Sequence, residues 1–113
     1  MKIANKSVRM NNIHPRLTWA LFNKIDFIMR EALGYEPVIT SGNDGDSHKR
    51  NSAHYQGRAA DLRTWIGAQN SKQVSPRTRG IIANRIREAV GDDFDVLSEK
   101  DHIHIEYDPK VPT

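Results

Sequence analysis

The chain has 113 residues, 37% of them hydrophobic, and no cysteine. That length suits one domain over residues 1–113, and the missing cysteines exclude disulfides, thiolate nucleophiles and cysteine-built structural zinc sites. Formal net charge is +3, from 17 basic and 14 acidic residues; so mild an excess favours polyanionic surroundings such as a cell wall or nucleic acid without singling one out.

The opening residues, Met1 to Lys6, carry charge with no apolar run behind them. The expectation is therefore no signal peptide and no membrane insertion. The first strongly periodic stretch starts at His14-Pro15, where proline suits the first helical position. Leu17, Leu21, Ile25, Ile28 and Ala32 recur at three- or four-residue spacing, and Gly34 is a natural stop. Trp19, Phe22 and Met29 widen this stripe as further core residues. The spacing predicts a helix over 15–33. A short β-rich run follows over 36–41, then a polar turn-forming loop over 42–47. Residues 59–66 alternate loosely and fit a strand, and 67–74 read as a polar loop.

Ser75-Pro76 is an N-cap followed by proline at the first helical position. Ile82, Ile86, Ala89 and Val90 make the buried stripe of a second helix, which Gly91 ends. Residues 94–97 and 102–107 read as two strands joined by a turn near Glu99-Lys100, and the tail over 108–113 cannot extend a sheet well. Helix, strands, helix and hairpin point to an α+β fold: a small antiparallel sheet packed with two main helices. Arg77, Arg79, Arg85 and Arg87 make the second helix basic, which reads as a solvated face. A nucleic-acid surface would show a larger charge excess and interleaved aromatics, so no nucleic-acid partner is expected.

Chemistry concentrates in two segments, residues 52–61 (SAHYQGRAAD) and 101–104 (DHIH), which hold three of the five histidines, two aspartates and Gly57. Two histidines and a carboxylate from separated segments are what a catalytic zinc ion needs, with the fourth position left open for water. His54 and Asp61 are too far apart for adjacent turns of one helix face, so they fit a loop or bent strand entering a second strand. In the last strand His102 and His104 share one face while Ile103, Ile105 and Tyr107 point the other way. His14 and His48 read as ordinary surface positions. Tyr55, Arg58, Arg63 and Tyr107 lie beside the motifs, where tyrosine or arginine can stabilise an oxyanion; singly, each reads as structural.

Ser52-x-His54-x-x-Gly57-x-Ala59-x-Asp61 followed by His102-x-His104 resembles the zinc D-alanyl-D-alanine carboxypeptidases and the phage endolysin L-alanyl-D-glutamate peptidases related to them. That superfamily includes the Hedgehog signalling domain and, more distantly, the lysostaphin-type peptidases. The resemblance covers residues 38–107 and implies a Hedgehog-like fold and one zinc ion held by His54, Asp61 and His104. Ser52 matches a residue that braces the site. Asp101 stands where the family often has a glutamate acting as general base, with Glu99 as the substitute. His102 falls in the cleft, where it would meet the substrate or the tetrahedral intermediate. The family's substrate-binding arginine, soon after the strand over 38–41, is replaced here by Gly42-Asn43-Asp44; Lys49, Arg50 or Arg58 are the cations at hand. The implied substrate is bacterial peptidoglycan peptide. The implied setting is a phage or prophage lysis enzyme, made in the cytoplasm and acting at the cell wall after release by another protein.

Overall fold

The computed structural model describes residues 1–42, 53–54, 56–67, 69 and 72–110. In chain order the elements are β1 (Lys2–Ile3), α1 (Pro15–Ala20), a π-helical turn (Leu21–Ile25), α2 (Asp26–Leu33), β2 (Val38–Ser41), β3 (Ala59–Arg63), α3 (Pro76–Val90), β4 (Phe94–Ser98) and β5 (His102–Tyr107). The strands form one sheet in the order β1-β2-β3-β5-β4. β2, β3, β5 and β4 pair antiparallel, while β1 runs parallel to β2. The α+β expectation is met, but the sheet is mixed rather than purely antiparallel. Two residues are too few to show any periodicity, so β1 left no signal in the sequence.

The predicted helix over 15–33 is one helical run with a π turn inside it. His14, expected as plain surface, caps its start: the ring Nδ1 accepts a hydrogen bond from the Arg16 N–H at 3.0 Å. Residues four apart drift around an α-helix. The wider π turn offsets that drift, so Leu17, Ala20, Leu21, Ile25, Ile28 and Met29 all stay buried. Gly34 ends the run at φ +80°. Three of the predicted core positions were wrong. Ala32 is exposed, Trp19 is 39% exposed and Phe22 is 55% exposed. Position 19 falls on the side of the helix opposite Leu17 and Leu21, and Phe22 lies at the edge of the buried stripe, where it lines a surface cavity with Ile13 and Ile39. Trp19 instead lies under two surface cations, the Arg16 guanidinium at 5.1 Å and Lys24 Nζ at 5.8 Å from its ring centre.

The two helical stretches cover one face of the sheet. From the helices come Leu17, Leu21, Ile25, Met29, Ile82 and Ile86; from the strands come Ile39, Ala60, Leu62, Val96, Ile103 and Ile105, all in one cluster. Each of these side chains other than Ala60, fully buried, contributes about 1.5–3 kcal/mol before chain entropy is set against it. The alternation along β5 puts Ile103 and Ile105 in this core, which leaves His102, His104 and Glu106 on the opposite face. β3 stops at Arg63, short of the predicted 66. Beyond it Trp65 makes an isolated bridge to Gln73, and Thr64 Oγ1 donates to Gln73 Oε1 at 2.5 Å.

The basic side of α3 is not simply solvated. Arg79 is only 6% exposed. Its Nε donates to Ser98 Oγ at 3.0 Å and its Nη1 to the Lys100 carbonyl at 2.9 Å. Arg87 donates from Nε and Nη2 to the Val96 carbonyl. Both arginines therefore hold β4 and the turn leading to β5. Among the described residues, no helix is long and apolar enough to cross a membrane. Replacing Arg79 by Met strands the Ser98 and Lys100 oxygens. We expect a loss of about 1–3 kcal/mol in urea-unfolding stability, against less than about 0.5 kcal/mol for the exposed Arg77→Met.

Candidate metal centre

The site lies on the sheet face that the helices leave open. Asp61 on β3 pairs directly with His104 on β5, and Arg63 pairs with His102. Paired residues share a face, so the β3–β5 register alone brings these four side chains to one side. On the other flank of β3 the register slips by one residue: Ile39 faces Leu62, but Ser41 faces Asp61. This irregularity lets β2 keep Ile39 in the core and still bring Ser41 and Gly42 to the site.

His54 reaches the same place from a turn before β3. Two glycines make that possible. Gly57 has φ +72°, and a Cβ there would lie 1.8 Å from the Asn12 carbonyl oxygen. A Cβ on Gly42 would lie 2.1 Å from the Arg9 carbonyl oxygen. The segment ahead of α1 thus packs against the bare backbone of both glycines, and the His14 N–H donates to the Gly57 carbonyl at 2.7 Å. His54, 5% exposed, is fixed between them, with its Nδ1 donating to the Gly42 carbonyl at 2.9 Å.

Asp61 Oδ1 is the point of convergence. It lies 2.8 Å from His104 Nδ1, 3.5 Å from His54 Nε2 and 3.6 Å from His102 Nε2. The His54 and His104 rings meet edge to face at 5.0 Å. Donor atoms of His54, Asp61 and His104 all lie within 4.8 Å of one another, so the group fits a metal ion. In a tetrahedral site, metal–ligand bonds of roughly 2.1 Å separate donor atoms by about 3.4 Å, close to the His54–Asp61 spacing.

The outward nitrogens strengthen the fit. A metal-bound histidine needs a lone pair on its inner nitrogen, set by an acceptor holding a proton on the outer one. His54 Nδ1 has the Gly42 carbonyl. His104 Nε2 has Glu106 Oε1 at 3.2 Å. His102 Nδ1 has Asp101 Oδ1 at 2.6 Å. All three rings turn one nitrogen to an acceptor and the other toward Asp61. Burial by itself would raise the Asp61 pKa, but hydrogen bonds with His104 and His54 and the charge on His54 and His102 outweigh it and hold the carboxyl far below the usual range. Burial would likewise lower the His104 pKa, yet its bonds to Asp61 and Glu106 prevail and raise it.

Glu106 was missed in the sequence. It lies two residues beyond His104, on the same strand face, and the period-two argument already applied to His102 and His104 would have found it. Arg58 donates to the Tyr107 carbonyl at 2.9 Å and to Gln56 Oε1. It ties the Gly57 turn to the end of β5 where Tyr107 lies. Asp101 is exposed at the tip of the β4–β5 turn. Its carbonyl accepts from Gln73 Nε2 at 3.1 Å, and the Glu99 N–H donates to the His102 carbonyl at 2.9 Å. Ser52, His48, Lys49, Arg50, Asn43, Asp44 and Tyr55 lie outside the described residues.

A cavity of about 230 Å³ opens beside the cluster, lined by Thr40, Arg63, Trp65, Gln73, Asp101 and His102. The Arg63 guanidinium stacks over the Trp65 ring at 3.7 Å.

Glu106→Gln keeps the shape but weakens the hold on the outer proton of His104. We expect metal affinity, measured by competition with a chromophoric chelator, to fall by about 10–100-fold with the circular dichroism spectrum unchanged. Neither the family models nor the curated proteins compared with the chain give a match.

Proposed function

We propose that the protein is a zinc-dependent peptidase acting on stem or cross-link peptides of bacterial peptidoglycan, of the phage or prophage endolysin type. The observation that carries the proposal is the convergence of His54, Asp61 and His104, with the outer nitrogen of each histidine held by an acceptor. The resemblance of these segments to the zinc D-alanyl-D-alanine carboxypeptidases and endolysin peptidases supplies the substrate class, and with it the Hedgehog-like fold. A mixed nitrogen and oxygen donor set favours zinc over harder cations. When bound, such an ion supplies Lewis acidity, polarising a carbonyl and making water nucleophilic near neutral pH.

The chain's own residues supply the proton chemistry. Asp101 holds Nδ1 of His102 and so presents Nε2 of that ring to the cluster. The Asp101–His102 pair takes the proton of the attacking water and returns it to the leaving amine, as general base and then general acid. Gln73 and Arg79 fix the turn that carries the pair, through the Asp101 and Lys100 carbonyls. In this reading the protein is made in the cytoplasm and reaches the wall after release by another protein.

One observation favours a second reading, a non-catalytic zinc-binding module for a partner or the cell wall. The Asp101 carboxylate is already engaged by His102 at 2.6 Å, and aspartate is shorter than the family's glutamate.

Mass spectrometry of peptidoglycan digested with zinc-loaded protein, against chelator-treated protein, separates the two. New fragments that need the metal support the peptidase, and their masses name the bond cut. One zinc bound per chain with no cleavage across several wall types supports the module. His104→Ala is expected to abolish both zinc binding and hydrolysis. Asp101→Asn is expected to keep fold and zinc but lower kcat by about 10²–10⁴-fold, the usual worth of a general base; unchanged kcat would remove Asp101 from the mechanism.

A further inference from the structure

The outer side of the first helical run carries more aromatic surface than a solvated helix needs. The chain has two tryptophans and three phenylalanines, and three of these five are exposed here: Trp19 at 39%, Phe22 at 55% and Phe27 at 66%. The π turn over 21–25 is what groups them. Residues four apart drift around an α-helix, but the wider turn offsets the drift on the outer side as it does in the core, so Trp19, Asn23 and Phe27 form one row. Asn23 leaves the row open, because its side-chain amide turns back to donate to the Trp19 carbonyl at 3.0 Å. Phe22 flanks the row and is one wall of a mainly apolar cavity of about 230 Å³ that Lys2, Ile3, Met10 and Ile13 also line. Contiguous exposed apolar side chains with a polar rim mark a contact surface.

Charge decides what that surface meets. Residues 1–33 carry six basic and two acidic side chains, while the rest of the chain carries eleven and twelve. The whole positive excess therefore belongs to this end of the sequence. Both of its acids are neutralised: Asp26 pairs with Arg30 and the Met1 amino group, and Glu31 pairs with Arg85. Arg16 and Lys24 pair with no carboxylate among the described residues and lie over the Trp19 ring instead. Aromatic rings at the level of lipid headgroups, with cations beside them reaching phosphate, are how a helix lies on an anionic bilayer. We propose that this face is a peripheral docking surface for anionic phospholipid. Trp19 and Phe27 enter the headgroup region, and Arg16, Lys24 and Lys2 meet the phosphates. A second copy of the chain is the poorer occupant, since a two-fold contact would set the basic patch against itself. The helices cover one face of the sheet and the metal centre lies on the other, so a docked molecule keeps that centre turned away from the bilayer. The proposal stands without the peptidase reading.

The test uses the full chain with vesicles of phosphatidylglycerol and phosphatidylcholine in equal parts, and with vesicles of phosphatidylcholine alone. Flotation measures the bound fraction. Emission of the Trp65→Phe variant, in which Trp19 is the one remaining tryptophan, measures immersion. Binding and a blue shift are expected with the anionic vesicles, at least about tenfold stronger than with the neutral ones and weakened by salt. Each cation at such a surface is worth roughly fivefold in partitioning, so Arg16→Gln with Lys24→Gln is expected to lower binding by about 10–30-fold. Phe27→Ser, at a position too exposed to hold the core, is expected to lower it about tenfold. The same loss of charge elsewhere, Lys100→Gln in the β4–β5 turn with Lys110→Gln after β5, is expected to change binding by less than about threefold. No binding to the anionic vesicles overturns the proposal. So does equal binding to both vesicle types, or a loss as large in the Lys100 and Lys110 variant as in the Arg16 and Lys24 variant. Two further results put another occupant in place of lipid and overturn it as well: retention on purified cell wall that needs Arg16 and Lys24 while vesicles are ignored, and, in place of vesicle binding, a dimer in sedimentation velocity that Phe27→Ser abolishes.

Discussion

A mostly buried carboxylate surrounded by imidazoles is the constraint on which the site side of this molecule depends. Asp61 has a side chain only 13% exposed, and an ionised carboxyl in such a place must be paired and hydrogen-bonded or it protonates. Here three histidines approach a single oxygen. The price of that arrangement is that each imidazole must be held in one orientation. The chain meets this with a carbonyl from Gly42, a carboxylate from Glu106 and a carboxylate from Asp101, one for each ring. The cluster is therefore two layers deep, and the outer layer comes from three separate parts of the chain.

Those parts are placed by elements whose main task is packing. β3 and β5 lie centrally in the sheet, held from behind by Leu62, Ile103 and Ile105 in the core. Rigid strands carry Asp61, His104 and Glu106, so their mutual geometry is set by backbone register rather than by loops. His54 is the exception. It stands on a turn, and its position relies on the segment before α1 lying against Gly42 and Gly57. The β4–β5 turn would be a second weak point, since it carries Asp101 and His102. Arg79 reaches under it from α3, and Gln73 reaches over it from the segment after β3. Helix, sheet and site are coupled through these two side chains.

Much of this was legible in the sequence because it follows short-range rules. The proline-started helices, their glycine ends and the face shared by His102 and His104 are local patterns, and the structure bears them out. What escaped notice was decided at long range. Arg79 looks like any other basic residue of a solvated helix until the Ser98 hydroxyl and Lys100 carbonyl lie beside it. Trp19 and Phe22 fit a hydrophobic stripe by composition, but Leu17, Leu21 and Ile25 had already filled the space facing the sheet. The two-residue strand β1 carries no periodicity at all. Glu106 is different: its period-two relation to His104 was visible, and only its role needed the fold.

His104 lies between two carboxylates, Asp61 on one nitrogen and Glu106 on the other. Against the opposite pull of burial, its bonds to both, and their charge, raise its pKa. A metal ion takes a neutral imidazole, so a cation held at Nδ1 would compete with a proton for that lone pair, and lower pH would weaken its hold. Glu106 would keep the proton on Nε2 in either case, which fixes the ring's orientation whatever occupies the inner nitrogen. The same carboxylate pair that makes His104 basic thus also makes it a strong donor to a cation.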